Sequence, residues 1–174
     1  MFDPTAFENM KVVMEGALYD RDLDGEIMIL DRNDVMNLAK LKRSYEVTFS
    51  DDNNSPVSCT LRLSAKLENL AAELLTSNLN NQLAGAHLSI QFRMKHEDSQ
   101  ELHKKIESVL RRIWGDERTI LHEVTHNPFQ KTDIVSKVIT LEFNRLILED
   151  QIDDLTHMMD YILTSIEKIK QVLL

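Results

Sequence analysis

Two histidines with a glutamate between them have the residue types and spacing best suited to chemistry in this chain. His122-Glu123-Val124-Thr125-His126 follows the pattern H-E-x-x-H. On a helix, histidines four residues apart lie on one face, so both can bind the same Zn²⁺ ion. The glutamate can then take a proton from a water molecule bound to the metal. In this interpretation His122 and His126 are metal ligands and Glu123 is a general base.

The same five residues resemble the signature of the zincin metallopeptidases, and the resemblance extends no further along the chain. It implies a third zinc ligand on a later helix. Glu149, followed by Asp153, has the E-x-x-x-D spacing that gluzincins use for that ligand. The resemblance therefore implies a zinc-dependent hydrolase with His122, His126 and Glu149 as ligands.

A strand is the alternative for this segment. Residues 119–125 are rich in β-branched side chains and alternate in polarity, and Asn127-Pro128 would end a helix directly after the second histidine. In a strand, His122 and His126 would lie about 13 Å apart, which is too far for one ion. We favour the strand, with half-exposed histidines and no bound metal or other cofactor, and keep the zinc hydrolase as an alternative.

A second set of acidic residues has the spacing of a calcium-binding loop. The segment 20–31 has aspartates at its first, third, fifth and twelfth positions and Gly25 at its sixth, and it resembles an EF-hand loop. An Asp-Gly turn that closes two strands explains the same residues, and we favour the turn. The sequence does not decide whether residues 11–20 form a helix or a strand. The calcium ligands implied by the resemblance are Asp20, Asp22, Asp24 and Asp31.

The longest apolar pattern lies in the last 30 residues. Apolar side chains recur at alternating steps of four and three over about four heptads, which predicts a helix over 145–174. This seam must be covered by the chain's own core or by a second copy. Met158, Leu163 and Val172 widen it, as in a helix that packs on a sheet. The candidate interface residues of the seam are Leu148, Ile152, Leu155, Met159, Ile162, Ile166, Ile169 and Leu173.

Short strands and helices are predicted over the rest of the chain. Tyr45, Val47 and Phe49 alternate with polar residues, as do apolar residues in 57–63, and the turn-forming run 51–56 between them predicts a β-hairpin. The other predicted helices are 4–10, 34–41, 67–75 and 102–113, and the other predicted strands are 26–30, 88–94, 119–125 and 135–143.

Composition limits the class of protein. The chain has 174 residues, 43% of them apolar and 28% charged, which suits one α+β domain over 1–174. We expect a largely antiparallel sheet with helices packed on one face and a long C-terminal amphipathic helix. The net charge of −9 argues against a nucleic-acid partner. No run reaches the roughly 18 apolar residues of a membrane span, so no membrane partner is expected.

The functional prediction is a binding protein. Cys59 is the only cysteine and no signal-like leader begins the sequence, so we expect a cytoplasmic protein. We predict a non-enzymatic interaction protein that forms a homodimer through its C-terminal helix and that can bind a further protein. The zinc hydrolase and the calcium-binding protein remain the alternatives. The sequence identifies neither the partner nor the direction in which two helices would pair.

Overall fold

The computed structural model describes residues 5–75 and 82–174. Within these ranges four α-helices combine with a seven-stranded antiparallel sheet, which confirms the predicted α+β class. None of the helices described is long and apolar enough to cross a membrane. The helices are α1 (Thr5–Leu23), α2 (Leu67–Leu74), α3 (Gln100–Trp114) and α4 (Ile152–Leu173), and the strands are β1 (Met28–Asn37), β2 (Lys42–Ser50), β3 (Val57–Ala65), β4 (Gly85–Glu97), β5 (Thr119–Thr125), β6 (Ile134–Glu142) and β7 (Ile147–Leu148).

The strands lie in the order β1-β2-β3-β4-β6-β5. Helix α3 carries the chain from β4 to the far edge, where β5 forms, and β6 then returns between β4 and β5. The two-residue strand β7 pairs with the start of β4. A side chain at Gly85 would bring its Cβ within 2.5 Å of the carbonyl oxygen of Ile147, so the close approach of these strands requires glycine.

The two faces of the sheet differ in polarity because side chains alternate along each strand. Helices α1, α3 and α4 cover the apolar face and form one core with it. The opposite face carries hydroxyl and amide groups, and there the Oγ1 atoms of Thr48 and Thr60 lie 2.8 Å apart. One row on the covered face consists of Val47, Leu61, Ile90, Leu141 and Ile120, and the adjacent row on the polar face consists of Thr48, Thr60, Gln91, Thr140 and Leu121.

Helix α1 is longer than the sequence predicted. It continues through residues 11–20, where the preference of Val12 and Val13 for strands left the assignment open. The buried side chains recur at helical spacing, whereas Val12 is 57% exposed. Burial of one face therefore outweighs the local strand preference. The buried face of α1 consists of Ala6, Phe7, Met10, Met14, Ala17 and Leu18.

The helix predicted over 34–41 is wrong. Strand β1 occupies residues up to Asn37 and pairs with β2 along its whole length, with a bulge after Ile29. Val35 and Leu38 remain 50% and 78% exposed, so the apolar residues at this helical spacing do not form a buried face. Pairing with the strongly patterned strand β2 satisfies the backbone of these residues, whereas a short helix with no buried face is only marginally stable in water.

The seam of the C-terminal helix lies inside the chain's own core. Helix α4 packs against α1, α3 and β3. The helix predicted from residue 145 begins at Ile152, and Leu148 lies in β7. Leu148, Ile152 and Leu173, at the two ends of the seam, are half-buried. Of the two ways to cover the seam, the structure has the intramolecular one. The fully buried seam residues are Leu155, Met159, Ile162, Ile166 and Ile169.

We predict that Ile162→Ala lowers the free energy of unfolding by roughly 2–5 kcal/mol, because it removes buried atoms and leaves a cavity. Urea denaturation followed by circular dichroism measures the change. Thr156→Ala, on the exposed side of the same helix, is the matched control and should change the free energy by no more than about 0.5 kcal/mol. A small effect of Ile162→Ala would contradict the central position of this residue.

Candidate functional site

The structure separates the residues of the proposed zinc site. His122 and Glu123 are consecutive residues of strand β5, so their side chains point to opposite faces of the sheet. His126 follows the end of the strand. Glu149 lies in a short 3₁₀ turn before α4, where its carboxylate accepts a hydrogen bond of 2.5 Å from Asn9. Among the residues described, no three His, Cys, Asp or Glu side chains are placed to hold a metal ion.

The aspartates of the proposed calcium loop lie on three different elements. Asp20 and Asp22 belong to the last turn of α1, Asp24 to the turn after it and Asp31 to β1. The carboxylate of Asp22 accepts a hydrogen bond of 3.1 Å from the backbone N–H of Ile29. The segment is therefore a helix–turn–strand connection, whereas an EF-hand loop joins two helices. The expected Asp-Gly turn is present, but it joins a helix to a strand.

His122 takes part in a polar cluster that its sequence motif does not indicate. Its Nε2 atom lies 2.5 Å from Oε2 of Glu107 on α3. The other oxygen of Glu107 accepts a hydrogen bond of 2.7 Å from Nε of Arg111. Burial raises the pKa of the Glu107 carboxyl, but its bonds to His122 and Arg111 outweigh burial and lower the pKa overall.

A lysine lies buried beside this pair, on the helix-covered face of β6. Lys137 is 1% exposed, and its ammonium group donates a hydrogen bond of 2.8 Å to Nδ1 of His103. Nε2 of His103 in turn donates to Asp98, at 3.0 Å. His96 packs its ring edge-on against His103, with ring centroids 5.1 Å apart, and its buried Nε2 has no partner among the residues described. Burial lowers the pKa of Lys137, against the attraction of Glu107.

These contacts define a hydrogen-bonded network that runs from Asp98 at the surface, through His103, to Lys137 in the core. The Asp98 carboxylate fixes the ring of His103, and His103 provides the acceptor for a buried cation that has no direct anionic partner. A cleft of about 500 Å³ opens over this network. Asp98, His103, Glu107 and His122 line the cleft, whereas Lys137 does not reach it. The arrangement does not present the lysine amine to a molecule in the cleft.

The sequence contains one signal for this cluster. Lys137 stands among Val135, Ile139 and Leu141, at alternate positions of a strand whose other members are buried. A charged residue at a strand position where the alternation predicts a buried apolar side chain requires a polar partner inside the core. The identity of that partner, His103, depends on the placement of α3 over the sheet and cannot be obtained from spacing along the chain.

The two edges of the sheet provide a second candidate site. Strand β1 is interrupted by its bulge and directs the charged side chains of Arg32 and Asp34 toward the helices. Strand β5 pairs with β6 over seven residues without interruption, and no described strand covers its outer edge. Leu121 and Val124 on β5 are 48% and 43% exposed. Bulges and charges protect an edge against pairing, so β5 is the edge that is open to another strand.

Comparisons with known proteins found no relative of this chain. No protein-family model, no curated protein and no solved structure matches it. The residues and their geometry are therefore the basis for assigning a function.

We predict that Lys137→Met leaves the protein at least as stable as wild type at pH 7, because methionine fills the same space without a buried charge. The pKa of Lys137 in the folded state lies below its ordinary value of 10.5, so as pH rises the folded protein releases this proton at a lower pH than the unfolded chain does. The free energy of unfolding of the wild type should therefore rise, relative to the variant, as pH increases from the lowered pKa toward 10.5.

Urea denaturation at several pH values between 7 and 10 measures this difference. Lys104→Met, on the exposed side of α3, is the control and should show no such dependence on pH. A large loss of stability in Lys137→Met at pH 7 would show instead that the bond to His103 stabilises the fold.

Proposed function

We propose that this chain is a non-catalytic interaction protein that forms a homodimer by pairing the β5 strands of two copies. The observation that supports this proposal is the uninterrupted, partly apolar outer edge of β5. The sequence predicts self-association through the seam of α4, but five of the eight seam residues are buried in the chain's own core. We therefore retain the homodimer and propose the outer edge of β5 as its interface.

Antiparallel pairing around a two-fold axis suits this edge. The same strand then meets its own copy, so every outward N–H and C=O group finds a complementary group. Leu121 lies on the polar face of the sheet and Val124 on the helix-covered face, because their partners in β6 are Thr140 and Lys137. A second copy would cover apolar surface on both faces and would extend the sheet across the dimer.

The exposed side of α4 is less suited to pairing with its copy. Its exposed charges are the acidic Asp153, Asp154, Asp160 and Glu167 and the basic Lys168, so two such surfaces carry an excess of like charge. Of the large apolar side chains described on α4, Tyr161 is the most exposed, at 52%. This surface offers little apolar area to bury, so we favour β5.

The metal-dependent alternatives have less support. The zinc hydrolase requires His122, His126 and Glu149 around one ion, and the calcium protein requires Asp20 and Asp31 around another. Each of these sets is distributed over separate elements, so binding would require a rearrangement of the backbone.

We predict that Leu121→Glu shifts the dimer toward monomer and raises the dissociation constant at least about tenfold, which corresponds to about 1.4 kcal/mol. When residues 119–125 of two copies pair fully, residue 121 of one copy lies opposite Glu123 of the other, so the added carboxylate would face a like charge in the interface. Light scattering coupled to size-exclusion chromatography, at several protein concentrations, measures the mass of both proteins.

Val35→Glu provides the matched control. Val35 is 50% exposed and lies on the polar face of the other edge strand, so the substitution adds the same charge to a similar position. We expect this variant to remain dimeric. A monomeric wild type at about 100 μM, or equal dissociation of both variants, would overturn the proposed interface.

A further inference from the structure

An open cleft of about 500 Å³ lies where the C-terminal end of α3 meets α4 and the end of β6. Trp114, Phe143 and Tyr161 form an aromatic wall, and Arg118 and Arg145 also line the cleft. This volume is within the range of sites for small molecules. The cleft is distinct from both the polar cluster and the β5 edge, so it requires its own explanation.

The aromatic wall is held in a fixed geometry. The ring of Trp114 lies 6.0 Å from that of Phe143 at an angle of 86°, and 5.7 Å from that of Tyr161 at 45°. The indole N–H of Trp114 donates a hydrogen bond of 2.9 Å to the hydroxyl of Ser165. Phe143 is buried, whereas Tyr161 is half-exposed. A planar ligand would therefore meet an aromatic surface that is already ordered, which reduces the entropy lost on binding.

The guanidinium groups give the cleft its charge. Arg118 lies over the ring of Phe143, with its Cζ atom 4.7 Å from the ring centroid. Its Nε is buried and has no hydrogen-bond partner among the residues described. Arg145 donates a hydrogen bond of 2.7 Å to Gln151 and lies 4.0 Å from the carboxylate of Asp154. One carboxylate at that distance leaves much of the donor capacity of the two arginines available.

We propose that this cleft binds a small planar aromatic molecule that carries a carboxylate, sulfonate or phosphate group. The ring would pack against Trp114 and Tyr161, and the anionic group would accept hydrogen bonds from Arg118 and Arg145. Guanidinium groups suit this role because their donors match the oxygen atoms of planar and tetrahedral anions. The stacking of Arg118 on Phe143 sets the direction of its free donors before the ligand arrives.

Two probes that differ in one charge test the proposal. 8-Anilino-1-naphthalenesulfonate carries the anion, and N-phenyl-1-naphthylamine has the same rings without it. Trp114 is the only tryptophan, so quenching of its fluorescence reports on this cleft. We expect the sulfonate to quench Trp114 in a saturable manner and to bind at least tenfold more tightly than the neutral probe.

Substitutions in the cleft identify the groups that recognise the anion. Arg118→Gln should weaken binding of the sulfonate about tenfold and leave the neutral probe unchanged. Arg145→Gln, at a side chain that is 47% exposed, should have a smaller effect in the same direction and serves if the first variant folds poorly. Arg112→Gln, on the exposed side of α3, is the control with wild-type binding.

Two results would overturn the proposal. One is equal affinity of the wild type for the charged and neutral probes, which would indicate apolar adsorption without recognition of the anion. The other is sulfonate binding that neither Arg118→Gln nor Arg145→Gln weakens in folded protein. Circular dichroism and thermal unfolding establish that each variant is folded.

Discussion

The structure depends on the burial of one helix face against one sheet face. Helix α4 lies between α1 and α3 and contacts β3, so its apolar side chains are shared by the layers of the core. Hydrophobic burial is the main favourable term in folding, and these side chains provide a large part of it. The same burial restricts function, because surface that is used inside the chain is not available to a partner. Interactions must therefore use the edges, the polar sheet face or the clefts.

Regular patterns in the sequence predicted much of this architecture. The hairpin of β2 and β3, the helix α3 and the long terminal helix each have a strict period and clear turn or cap residues, so local information was sufficient. Helix α1 and strand β1 were predicted only in part, over 4–10 and 26–30, because Val12 and Val35 have local preferences that packing and strand pairing override. The length of the apolar seam showed that another surface must cover it. Whether that surface belongs to the chain's own core or to a second copy depends on the placement of the other helices.

The polar cluster shows why site residues are harder to predict than elements. His122 belongs to a five-residue motif that suggests a zinc ligand, but the residue it contacts is Glu107, on a different element. Lys137 occupies a core position where an apolar residue would be expected, and its hydrogen bond connects it through His103 to Asp98. Buried networks of this type constrain a core to one arrangement because each donor requires its own acceptor. No pairwise spacing in the sequence contains that information.

The order of strands also has a consequence for how the chain folds. Strand β6 lies between β4 and β5, although β5 precedes it along the chain, so β4 finds its second neighbour only when β6, alone or with β5 already paired, docks on it. Local hairpins form within about 10 μs, whereas docking closes a longer loop that contains α3. Until that docking, the edge of β4 that contains Ile90 and Phe92 is unpaired. An unpaired edge of this kind can pair wrongly with another chain, so the rate at which β6 docks determines how long the chain is exposed to wrong pairing.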